Sequence, residues 1–547
     1  MTAERDLTSP PDLEERHGTG PARSRRPVYV DLLPPCNDAC PAGENIQRWL
    51  SQTQAGRLRD AWETLVADNP LPAIHGRVCY HPCEGACNRA RLDSTVSIHA
   101  VERFLGDRAL AEGWRAAPLS GPSGKRVLVV GAGPSGLAAA WHLALRGHAV
   151  EVRDAGPKAG GMMRFGIPAY RLPRGVLDGE IARIEALGVR FVLDHRVEDL
   201  ETELREGRFD ASFIAVGAHV SKRTEIPARD AGRMLDAIAF LRDVERGSVP
   251  RLGRRVAVYG GGNTAMDAAR TALRLGYEPI VIYRRDREHM PAHDFEAQEA
   301  LDEGVTIRWL RSIKAIEGKT FTVEEMAIDE KGRPVPTGRF ETLEADDLLL
   351  ALGQDTDTAF LRNVPGVEVE RDGSVRVGAD FMTGRPGLFA GGDVVPGERS
   401  VTVAVGHGKR AARHIDAWLR SARFEKPAKR PLASFEKLHL WYYTDPGHRP
   451  QEQASLGRRL YSFEEVVSGL SDDEAVFEAR RCLSCGNCFE CDGCLAACPE
   501  DAISKLGAGK GYRVDFARCT GCAICFEQCP CHAIEMVPEP AAETDPT

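Results

Sequence analysis

The stretch RVLVVGAGPSGLAAAWHLALRGHAVEVRD, residues 126–154, decides how the chain folds. An apolar run predicts a buried strand, the Gly131, Gly133 and Gly136 pattern follows it, and helical periodicity comes next. These glycines would allow a tight turn, close approach of a pyrophosphate to the backbone, and close packing of helix on strand. Asp154 ends the second strand, where a ribose-binding carboxylate belongs. Together these features predict a dinucleotide-binding domain and disfavour a glycine-rich turn without a ligand.

A second copy of this pattern, VAVYGGGNTAMDAARTALRLGYEPIVIYRR, occupies residues 256–285. Its second strand ends in two arginines where the first copy has a carboxylate. A guanidinium can bind a 2′-phosphate in a bidentate way, so this copy predicts a site for NADPH. The alternative is that the two arginines form a solvated surface pair. The residues expected at this site are Gly260, Gly262, Asn263, Arg284 and Arg285.

Residues 383–393, TGRPGLFAGGD, indicate which site holds flavin. This segment resembles the late FAD motif of the two-dinucleotide-binding flavoproteins. The resemblance implies that Gly392 and Asp393 lie at the flavin and that the aspartate bonds its ribityl chain. A helix pattern follows and would point its N-terminus at the flavin. FAD is therefore expected at the first site and NADPH at the second, with crossovers between the two domains ending at Gly217 and Gly353.

The 16 cysteines form two groups, five between Cys36 and Cys87 and eleven between Cys482 and Cys531. A disulfide framework is the alternative to metal ligation. Disulfides serve small secreted domains, however, and the start of this large chain, from Met1 to Arg26, lacks the apolar segment of an export signal. We therefore expect metal ligands in a reducing compartment.

The spacing C-x2-C-x2-C-x3-C-P occurs twice, first from Cys488 and again from Cys519. This is the spacing of bacterial two-cluster ferredoxins, in which the fourth cysteine of each run serves the other cluster. Zinc is the alternative, because C-x2-C pairs alone would allow it. The first [4Fe–4S] cluster would take Cys488, Cys491, Cys494 and Cys529. The second would take Cys519, Cys522, Cys525 and Cys498.

Motifs across residues 34–420 carry a family resemblance. They are Cys36-x3-Cys40-Pro41, Asn69-Pro70-Leu71-Pro72, Gly76-Arg77-Val78-Cys79, Cys83-Glu84, Cys87-x-Arg89, Glu102-Arg103-Phe104, Gly160-Gly161 and Phe165-Gly166-Ile167-Pro168-x-Tyr170-Arg171-Leu172-Pro173. This region resembles the small subunit of NADPH-dependent glutamate synthase and the matching part of dihydropyrimidine dehydrogenase. The resemblance implies two N-terminal [4Fe–4S] clusters with a non-cysteine ligand at Glu102. It also places Gly161 and Arg171 among the cofactor-binding residues.

The chain departs from this family before Cys36, where the family has a Cys-x-x-Cys pair and this sequence has no cysteine. The same signature occurs instead at Cys482 and Cys485, ahead of the ferredoxin repeat. We therefore expect this pair to complete an N-terminal cluster, although it could instead be structural or bind zinc, which would leave one N-terminal cluster absent. In the first case one cluster takes Cys36, Cys87, Cys482 and Cys485, and the other takes Cys40, Cys79, Cys83 and Glu102. Cys531 is left spare.

The composition fits a soluble globular protein of several domains. The 547 residues are 43% hydrophobic and carry a net charge of −9, which gives no case for nucleic acid or an acidic membrane surface. No apolar run reaches the ~20 residues of a membrane span, so a cytoplasmic protein is expected.

The predicted fold is α/β, with two interleaved Rossmann-like domains, an N-terminal helical iron–sulfur domain and a C-terminal bacterial ferredoxin-like domain. The expected units are a disordered tail 1–29, the helical domain 30–119, the FAD domain 120–222 and 356–420, the NADPH domain 223–355, a connector 421–475 whose aromatic residues need burial, the ferredoxin domain 476–537 and a tail 538–547.

These features predict FAD-dependent electron transfer between NADP(H) and [4Fe–4S] clusters, with no side chain acting as a strong acid or base. FAD can accept a hydride and release electrons singly, which neither NADPH nor a cluster does alone. The ferredoxin repeat resembles that of NAD(P)-linking subunits of 2-oxoacid:ferredoxin oxidoreductases. The expected partner is therefore such an enzyme or a ferredoxin, within a hetero-oligomer. The alternatives are a glutamate synthase small subunit with a separate large subunit, and a non-catalytic relay or assembly subunit.

Overall fold

A computed structural model gives the structure of residues 23–222 and 224–540, which begins with a strand and six helices. Buried aliphatic and tryptophan side chains, including Trp49 and Trp62, hold the helices together. The cysteines lie at the ends of the short helices, where side chains from successive turns can converge. The elements, numbered in chain order, are β1 Arg25–Tyr29, α1 Pro35–Ala39, α2 Ile46–Gln54, α3 Leu58–Val66, α4 Pro72–Val78, α5 Pro82–Gly85 and α6 Ile98–Ala111.

A five-stranded parallel sheet in the order β17-β5-β2-β3-β4 forms the first nucleotide-binding domain. Its central strands are continuous apolar runs because helices cover both faces of the sheet. The strands are β2 Arg126–Val130, β3 Ala149–Arg153, β4 Arg190–Val192, β5 Ala211–Ile214 and β17 Leu388–Ala390. The helices are α7 Pro134–Leu145, α8 Met162–Phe165, α9 Arg174–Glu185, α10 Leu200–Gly207 and α14 Val401–Leu419.

A second parallel sheet, in the order β11-β10-β9-β15-β8, is inserted between β5 and β17. A four-stranded sheet, β14-β13-β12-β7, accompanies it. The strands are β7 Ala228–Arg229, β8 Met234–Asp236, β9 Arg255–Tyr259, β10 Glu278–Ile282, β11 Thr306–Arg308, β12 Arg311–Glu317, β13 Thr320–Ile328, β14 Pro334–Glu344 and β15 Asp347–Leu350. The helices are α11 Ala237–Glu245, α12 Asn263–Arg274 and α13 Asp294–Asp302.

The chain passes between the two sheets along a two-stranded ribbon, β6 Val220–Ser221 paired with β16 Gln354–Asp355. Both crossovers therefore run side by side, directly after the Gly217 and Gly353 tripeptides. The predicted α/β class with interleaved nucleotide-binding domains is confirmed.

The C-terminal unit contains short helices and strands around the cysteine repeat. Helix α16 begins at a capping box, in which Ser471 and Glu474 satisfy each other's backbone N–H groups. The remaining elements are α15 Leu456–Tyr461, α16 Asp472–Arg480, α17 Gly493–Ala497, β18 Ile503–Lys505, β19 Tyr512–Val514, α18 Ile524–Glu527 and β20 Ile534–Pro538.

The predicted disordered tail 1–29 is wrong for residues 25–29, which form β1. This strand pairs with β20 in an antiparallel register from Arg25 opposite Pro538 to Tyr29 opposite Ile534. Pro538 thus belongs to a strand and not to the predicted C-terminal tail. The segment lacks a hydrophobic pattern of its own, and its order comes from pairing with a strand near the opposite end of the sequence. Residues 1–22 and 541–547 of the two predicted tails lie outside the described residues.

The connector does not bury all its aromatic residues, contrary to expectation. Leu440 and Tyr443 pack against the C-terminal core. Trp441 is 62% exposed and Tyr442 is 44% exposed. The expectation failed because a 3-10 turn, Leu440–Tyr442, has three residues per turn, which puts Leu440 and Tyr443 on the core side and leaves the two residues between them facing away. Within residues 23–222 and 224–540, the longest and most apolar helices still fall short of what a membrane span requires.

Close packing of α14 on α7 predicts that Gly408→Ala destabilises the fold. An added Cβ would lie 2.2 Å from the Ser135 carbonyl oxygen and 2.9 Å from the Ala139 amide nitrogen, so the helices would have to separate. We expect a loss of about 1–3 kcal/mol, seen as a lower thermal unfolding midpoint. Gly175→Ala in α9 is the matched control, because nothing lies within 4 Å of its added methyl group. A midpoint for Gly408→Ala at or above that of the control would contradict the packing argument.

Candidate functional site

The first glycine loop joins β2 to α7 and forms one wall of a deep pocket. Gly131 has φ +108°, and a Cβ there would lie 2.3 Å from the Ala215 carbonyl oxygen. A Cβ at Gly136 would lie 1.9 Å from the Gly131 carbonyl oxygen. Gly133 has open space around it and lines the pocket. Two glycines therefore close the turn and the third leaves room for a ligand, as a dinucleotide requires.

The amino end of α7 faces this pocket and favours an anion. Gly133 occupies the N-cap position and Pro134 begins the helix, so the pocket is lined by the first turn of α7. The free N–H groups and dipole of this turn suit a pyrophosphate. The cradle therefore fits the adenine dinucleotide part of FAD.

Asp154 lies in the pocket at the end of β3, and its carboxylate already contacts the backbone. One oxygen accepts a hydrogen bond from the Ala132 N–H and the other from the Gly156 N–H, each at 2.7 Å. These bonds tie the second strand to the glycine loop. Sequence reasoning assigned the side chain to a ribose and missed this second, structural use of the same carboxylate.

The late motif places Gly392 and Asp393 on the opposite wall of the pocket, after β17. Gly392 has φ +79°, and a Cβ there would crowd the Ser135 side chain at 2.8 Å. His407 of α14 accepts a hydrogen bond from the Gly392 N–H through Nδ1 at 3.2 Å. Burial and the nearby Arg410 lower the pKa of His407 to about 4, so it is neutral and can accept. Burial raises the pKa of Asp393 to about 6.

The pocket brings together nine of the predicted cofactor-binding residues. The residues that line it are Gly131, Gly133, Asp154, Gly161, Arg171, Gly217, Asn263, Gly392 and Asp393. The predicted residues that do not line it are Gly136, Gly260, Gly262, Arg284, Arg285 and Gly353. Residues from both nucleotide-binding domains thus meet in one pocket, which is the arrangement that hydride transfer between two cofactors needs.

Arg171 makes contacts that the sequence did not foresee. Its guanidinium binds the Asp267 carboxylate at 2.8 Å and also pairs with Glu296, both in the second domain. Burial raises the pKa of Glu296 to about 7, an effect that Arg171 partly offsets. Arg171 therefore connects the two nucleotide-binding domains through buried ion pairs.

The second glycine loop leads into α12 and contacts the N-terminal domain. A Cβ at Gly260 would lie 2.2 Å from the Ala351 carbonyl oxygen, while Gly262 has open space. The Asn263 side chain donates to the Tyr80 hydroxyl at 2.7 Å and accepts from the His293 N–H at 3.1 Å. Tyr80 also stacks on the His293 ring at 3.6 Å. The sequence offered no signal for Tyr80 beyond its position next to Cys79.

Arg284 and Arg285 follow β10 at the carboxyl edge of the second sheet, as predicted. Arg284 is exposed and Arg285 is half-buried. In the part of the chain that the structure describes, neither forms an ion pair with a carboxylate. Both guanidinium groups are therefore available to an anionic ligand.

Four cysteines from the two ends of the chain line one small cavity, which we call the shared cavity. They are Cys36, Cys87, Cys482 and Cys485. Burial raises the pKa of the Cys36 thiol, and the neighbouring Cys482 and Cys87 add to this effect. All 16 cysteines are free thiols, so the disulfide alternative finds no support in the structure. Four converging thiols in a closed apolar cavity fit the ligand set of a [4Fe–4S] cluster.

The other N-terminal cysteines converge with two buried glutamates. Burial raises the pKa of Cys79 to about 12, and Glu102 is the charge that adds most to this effect. Burial also raises the pKa of Cys40, with Glu44 as the first contributing charge and Glu102 after it. The Asn69 amide donates to both carboxylates, at 3.0 Å to Glu44 and 2.7 Å to Glu102. The structure therefore adds Glu44, which the sequence analysis missed, beside the predicted ligand Glu102.

The C-terminal cysteines form two sets that follow the ferredoxin pattern. Cys498, Cys519, Cys522 and Cys525 line a small cavity that Pro27 of β1 also borders. In the other set, Cys488, Cys491 and Cys494 all lie close enough to Cys529 for its charge to contribute, after burial, to raising the pKa of each. Each set combines three cysteines of one run with the fourth of the other. These donor sets fit two further clusters.

The pocket and the thiol groups define a class of protein, a flavoprotein oxidoreductase that uses a pyridine nucleotide and iron–sulfur clusters. Comparison with known families agrees: residues 125–408 match the pyridine nucleotide-disulphide oxidoreductases, and the chain belongs to this family. Residues 26–114 match dihydropyrimidine dehydrogenase domain II, described as a 4Fe-4S cluster domain. The predicted class, an NADPH-dependent FAD and iron–sulfur oxidoreductase, is confirmed.

Three curated relatives share much of the chain. It is 37% identical over 502 residues to the NADP(+)-dependent formate dehydrogenase subunit beta of Moorella thermoacetica, covering 82% of this chain and 70% of the relative. It is 34% identical over 514 residues to the NADPH-Fe(3+) oxidoreductase subunit beta of Geobacter sulfurreducens, covering 82% and 75%. It is 34% identical over 420 residues to the glutamate synthase [NADPH] small chain of Escherichia coli, covering 71% and 89%.

The shared cavity predicts that Cys482→Ala lowers the iron content by about one cluster, roughly four iron atoms per chain. The variant removes one of the four thiols that converge there. Iron and acid-labile sulfide analysis of the anaerobically purified protein measures the loss. Cys531→Ala is the matched control, because it removes a buried cysteine outside the four proposed sets. An unchanged iron count in Cys482→Ala would rule out the shared cluster.

Proposed function

We propose that this protein is the nucleotide-binding subunit of a larger NADP(H)-linked redox complex. Its pocket would take FAD and the nicotinamide of NADPH, and the iron–sulfur clusters held by its cysteines would carry electrons to or from a partner protein. The expected partner is a ferredoxin or a 2-oxoacid:ferredoxin oxidoreductase. The N-terminal set Cys40, Cys79, Cys83 and Glu102, the shared set and the two ferredoxin sets are proposed as the cluster ligands.

One contact carries this proposal: the residues on both sides of Cys79 line the nucleotide pocket. Val78 and Tyr80 both form part of its wall. A group held by Cys79 would therefore adjoin the flavin site, with one aromatic side chain at the boundary. This arrangement supports electron exchange between the pocket and the N-terminal cysteines.

The cysteine groups continue from the pocket towards the surface. Cys83 lies near Cys40 and Cys79 and also near Cys36 of the shared cavity, since each of these raises its pKa after burial. Cys485 of the shared cavity is followed three residues later by Cys488, which is exposed. This order of the cysteine groups supports a path for electrons from the pocket to the ferredoxin unit, where a partner protein can reach the exposed Cys488.

Bound FAD would supply the conversion between a two-electron hydride donor and one-electron carriers. The protein's own task is to bind, orient and exclude water. The first turn of α7 and the Gly392 turn hold the pocket walls, and Arg171 fixes the second domain against the first. Asp393 is placed to accept a hydrogen bond from a polyol, since no described residue pairs with its carboxylate.

The partner is proposed from the ferredoxin unit and the relatives. Two relatives with 82% of this chain aligned are named as beta subunits, which supports a multi-subunit complex. The glutamate synthase small chain supports the alternative partner, a glutamate synthase large subunit. Anaerobic purification with its bound partners tests these proposals. Co-purification of a thiamine-diphosphate enzyme supports the first, and co-purification of a glutamine amidotransferase would overturn it in favour of the second.

Replacing Arg284 and Arg285 with alanine should weaken NADPH binding selectively. Two charge-assisted hydrogen bonds to a 2′-phosphate would be lost, so we expect the KM for NADPH to rise about ten- to hundredfold. The KM for NADH should change little, since NADH lacks this phosphate. Steady-state reduction of a dye by each nucleotide measures both values.

Arg287→Ala is the matched control, because its guanidinium bonds the Gln298 side chain on the surface. An equal loss with NADPH and NADH in the double variant would show that the arginines are a structural surface pair. If NADPH fails to bleach the flavin of the wild-type protein, that result would favour the non-catalytic relay alternative.

A further inference from the structure

Strand β1 packs over the ferredoxin unit, although the two lie near opposite ends of the sequence. Arg23, just before the strand, pairs with Glu539 at 2.7 Å and donates to the Cys519 carbonyl oxygen at 2.9 Å. The strand passes so close to the second cysteine run that a Cβ at Gly521 would lie 2.4 Å from the Arg25 carbonyl oxygen. Pro27 borders the cavity of the second ferredoxin set. A segment from the start of the sequence therefore shields cysteines near its end.

The last residue of this strand contacts a cysteine of the first ferredoxin set. The Tyr29 hydroxyl lies 3.2 Å from the Cys494 Sγ. A cysteine sulfur that binds a cluster carries no proton, so the phenol is the donor in this contact. The ring is fixed by stacking on Tyr512, with centroids 6.1 Å apart. Both the register of β1 and this stacking hold the hydroxyl against the sulfur.

Cys531, the cysteine outside the four proposed sets, contacts a second member of the same set. Its Sγ lies 3.8 Å from the Cys529 Sγ and it is 2% exposed. Cys529 belongs to the proposed ligand set and would bind the cluster as a thiolate, so Cys531 carries the S–H that donates.

The two ferredoxin sets share one backbone hydrogen bond to sulfur. The Ala502 N–H lies 3.3 Å from the Cys498 Sγ, and the Ala533 N–H lies 3.2 Å from the Cys529 Sγ. These are the same contact in the two halves of the repeat. Across residues 23–222 and 224–540, however, side-chain O–H and S–H donors reach only the first set. The asymmetry in side-chain donors comes from Tyr29 and Cys531.

We infer that Tyr29 and Cys531 are positioning residues that raise the reduction potential of the first ferredoxin cluster above that of the second. The inference rests on the proposed ligand sets. Hydrogen bonds to cysteine sulfur stabilise the more negative, reduced state of a cluster and so raise its potential. The donors act on the set that contains Cys488, three residues after the shared cavity. Electrons therefore collect on the cluster nearer the nucleotide pocket.

Redox titration of the full chain, followed by electron paramagnetic resonance, tests this inference. Tyr29→Phe keeps the stacked ring and removes only the hydroxyl. We expect the midpoint of one ferredoxin cluster to become more negative, so that its reduced-to-oxidised ratio at the wild-type midpoint falls about fivefold. Cys531→Ala should shift the same signal in the same direction. The other midpoint should stay unchanged in both variants.

Thr520→Val is the matched control, because it removes a hydroxyl that borders the second set. It should leave both midpoints unchanged. An exchangeable proton coupled to the reduced first cluster, detected in D2O, should be present in the wild type and reduced in Tyr29→Phe.

Iron content separates the possible outcomes. If Tyr29→Phe fails to assemble its clusters, Cys531→Ala decides alone, and an unshifted midpoint with full iron overturns the inference. Equal shifts of both midpoints would also overturn it. Wild-type protein without the signals of reduced clusters would instead overturn the proposed ligand sets.

Discussion

The buried ion pair between Glu478 and Arg481 fixes the two ends of the chain against each other. Glu478 is fully buried on α16 and accepts a hydrogen bond from the Ser97 N–H at 3.0 Å. Arg481 pairs with Glu478 at 2.9 Å and donates to the Thr95 carbonyl oxygen at 2.7 Å. Buried charges are costly unless fully paired, so few other dockings of α16 are tolerated. Because Cys482 follows directly, this docking sets the position of the shared cavity.

A second buried ion network fixes the nucleotide-binding domains. Arg171 of the first domain reaches Asp267 and Glu296 of the second. Beside them, Glu303 binds Arg270 and Arg274, and Arg459 of the connector joins the same carboxylate at 3.1 Å. The connector thus closes over the junction of the two sheets. The spacing of the two glycine loops depends on this network, so Arg171 both lines the pocket and fixes the relative position of the two loops.

Local patterns were sufficient to predict much of the site. The glycine loops, the ferredoxin repeat and the end of β10 each combine residues within about 30 positions of one another, so spacing alone specifies the geometry. The shared cavity could also be predicted, because the Cys-x-x-Cys signature is intact at Cys482 and Cys485 although it lies at a different place in the sequence. These cysteines line one cavity with Cys36 and Cys87, and their binding of one cluster stays a prediction.

Residues whose roles depend on distant parts of the chain could not be predicted in the same way. Strand β1 has no apolar alternation and is ordered by pairing with β20. Tyr80 and Glu44 have no spacing that marks them, since each acts through a neighbour brought close by folding. The exposure of Trp441 depends on a turn of three residues. In each case the information lies in tertiary contact and not in a local period.

A buried aromatic residue fills the space between the shared cavity and the ferredoxin unit. Tyr443 is buried there, and its pKa is raised by burial and then by the nearby Cys531, Cys482 and Cys485. Its hydroxyl donates to the Leu483 carbonyl oxygen at 3.2 Å, so the phenol is satisfied without water. A packed aromatic ring in place of solvent keeps the surroundings of both cysteine groups apolar. Since the polarity around a cluster helps to set its potential, the connector contributes to the redox chemistry although it supplies none of the proposed ligands.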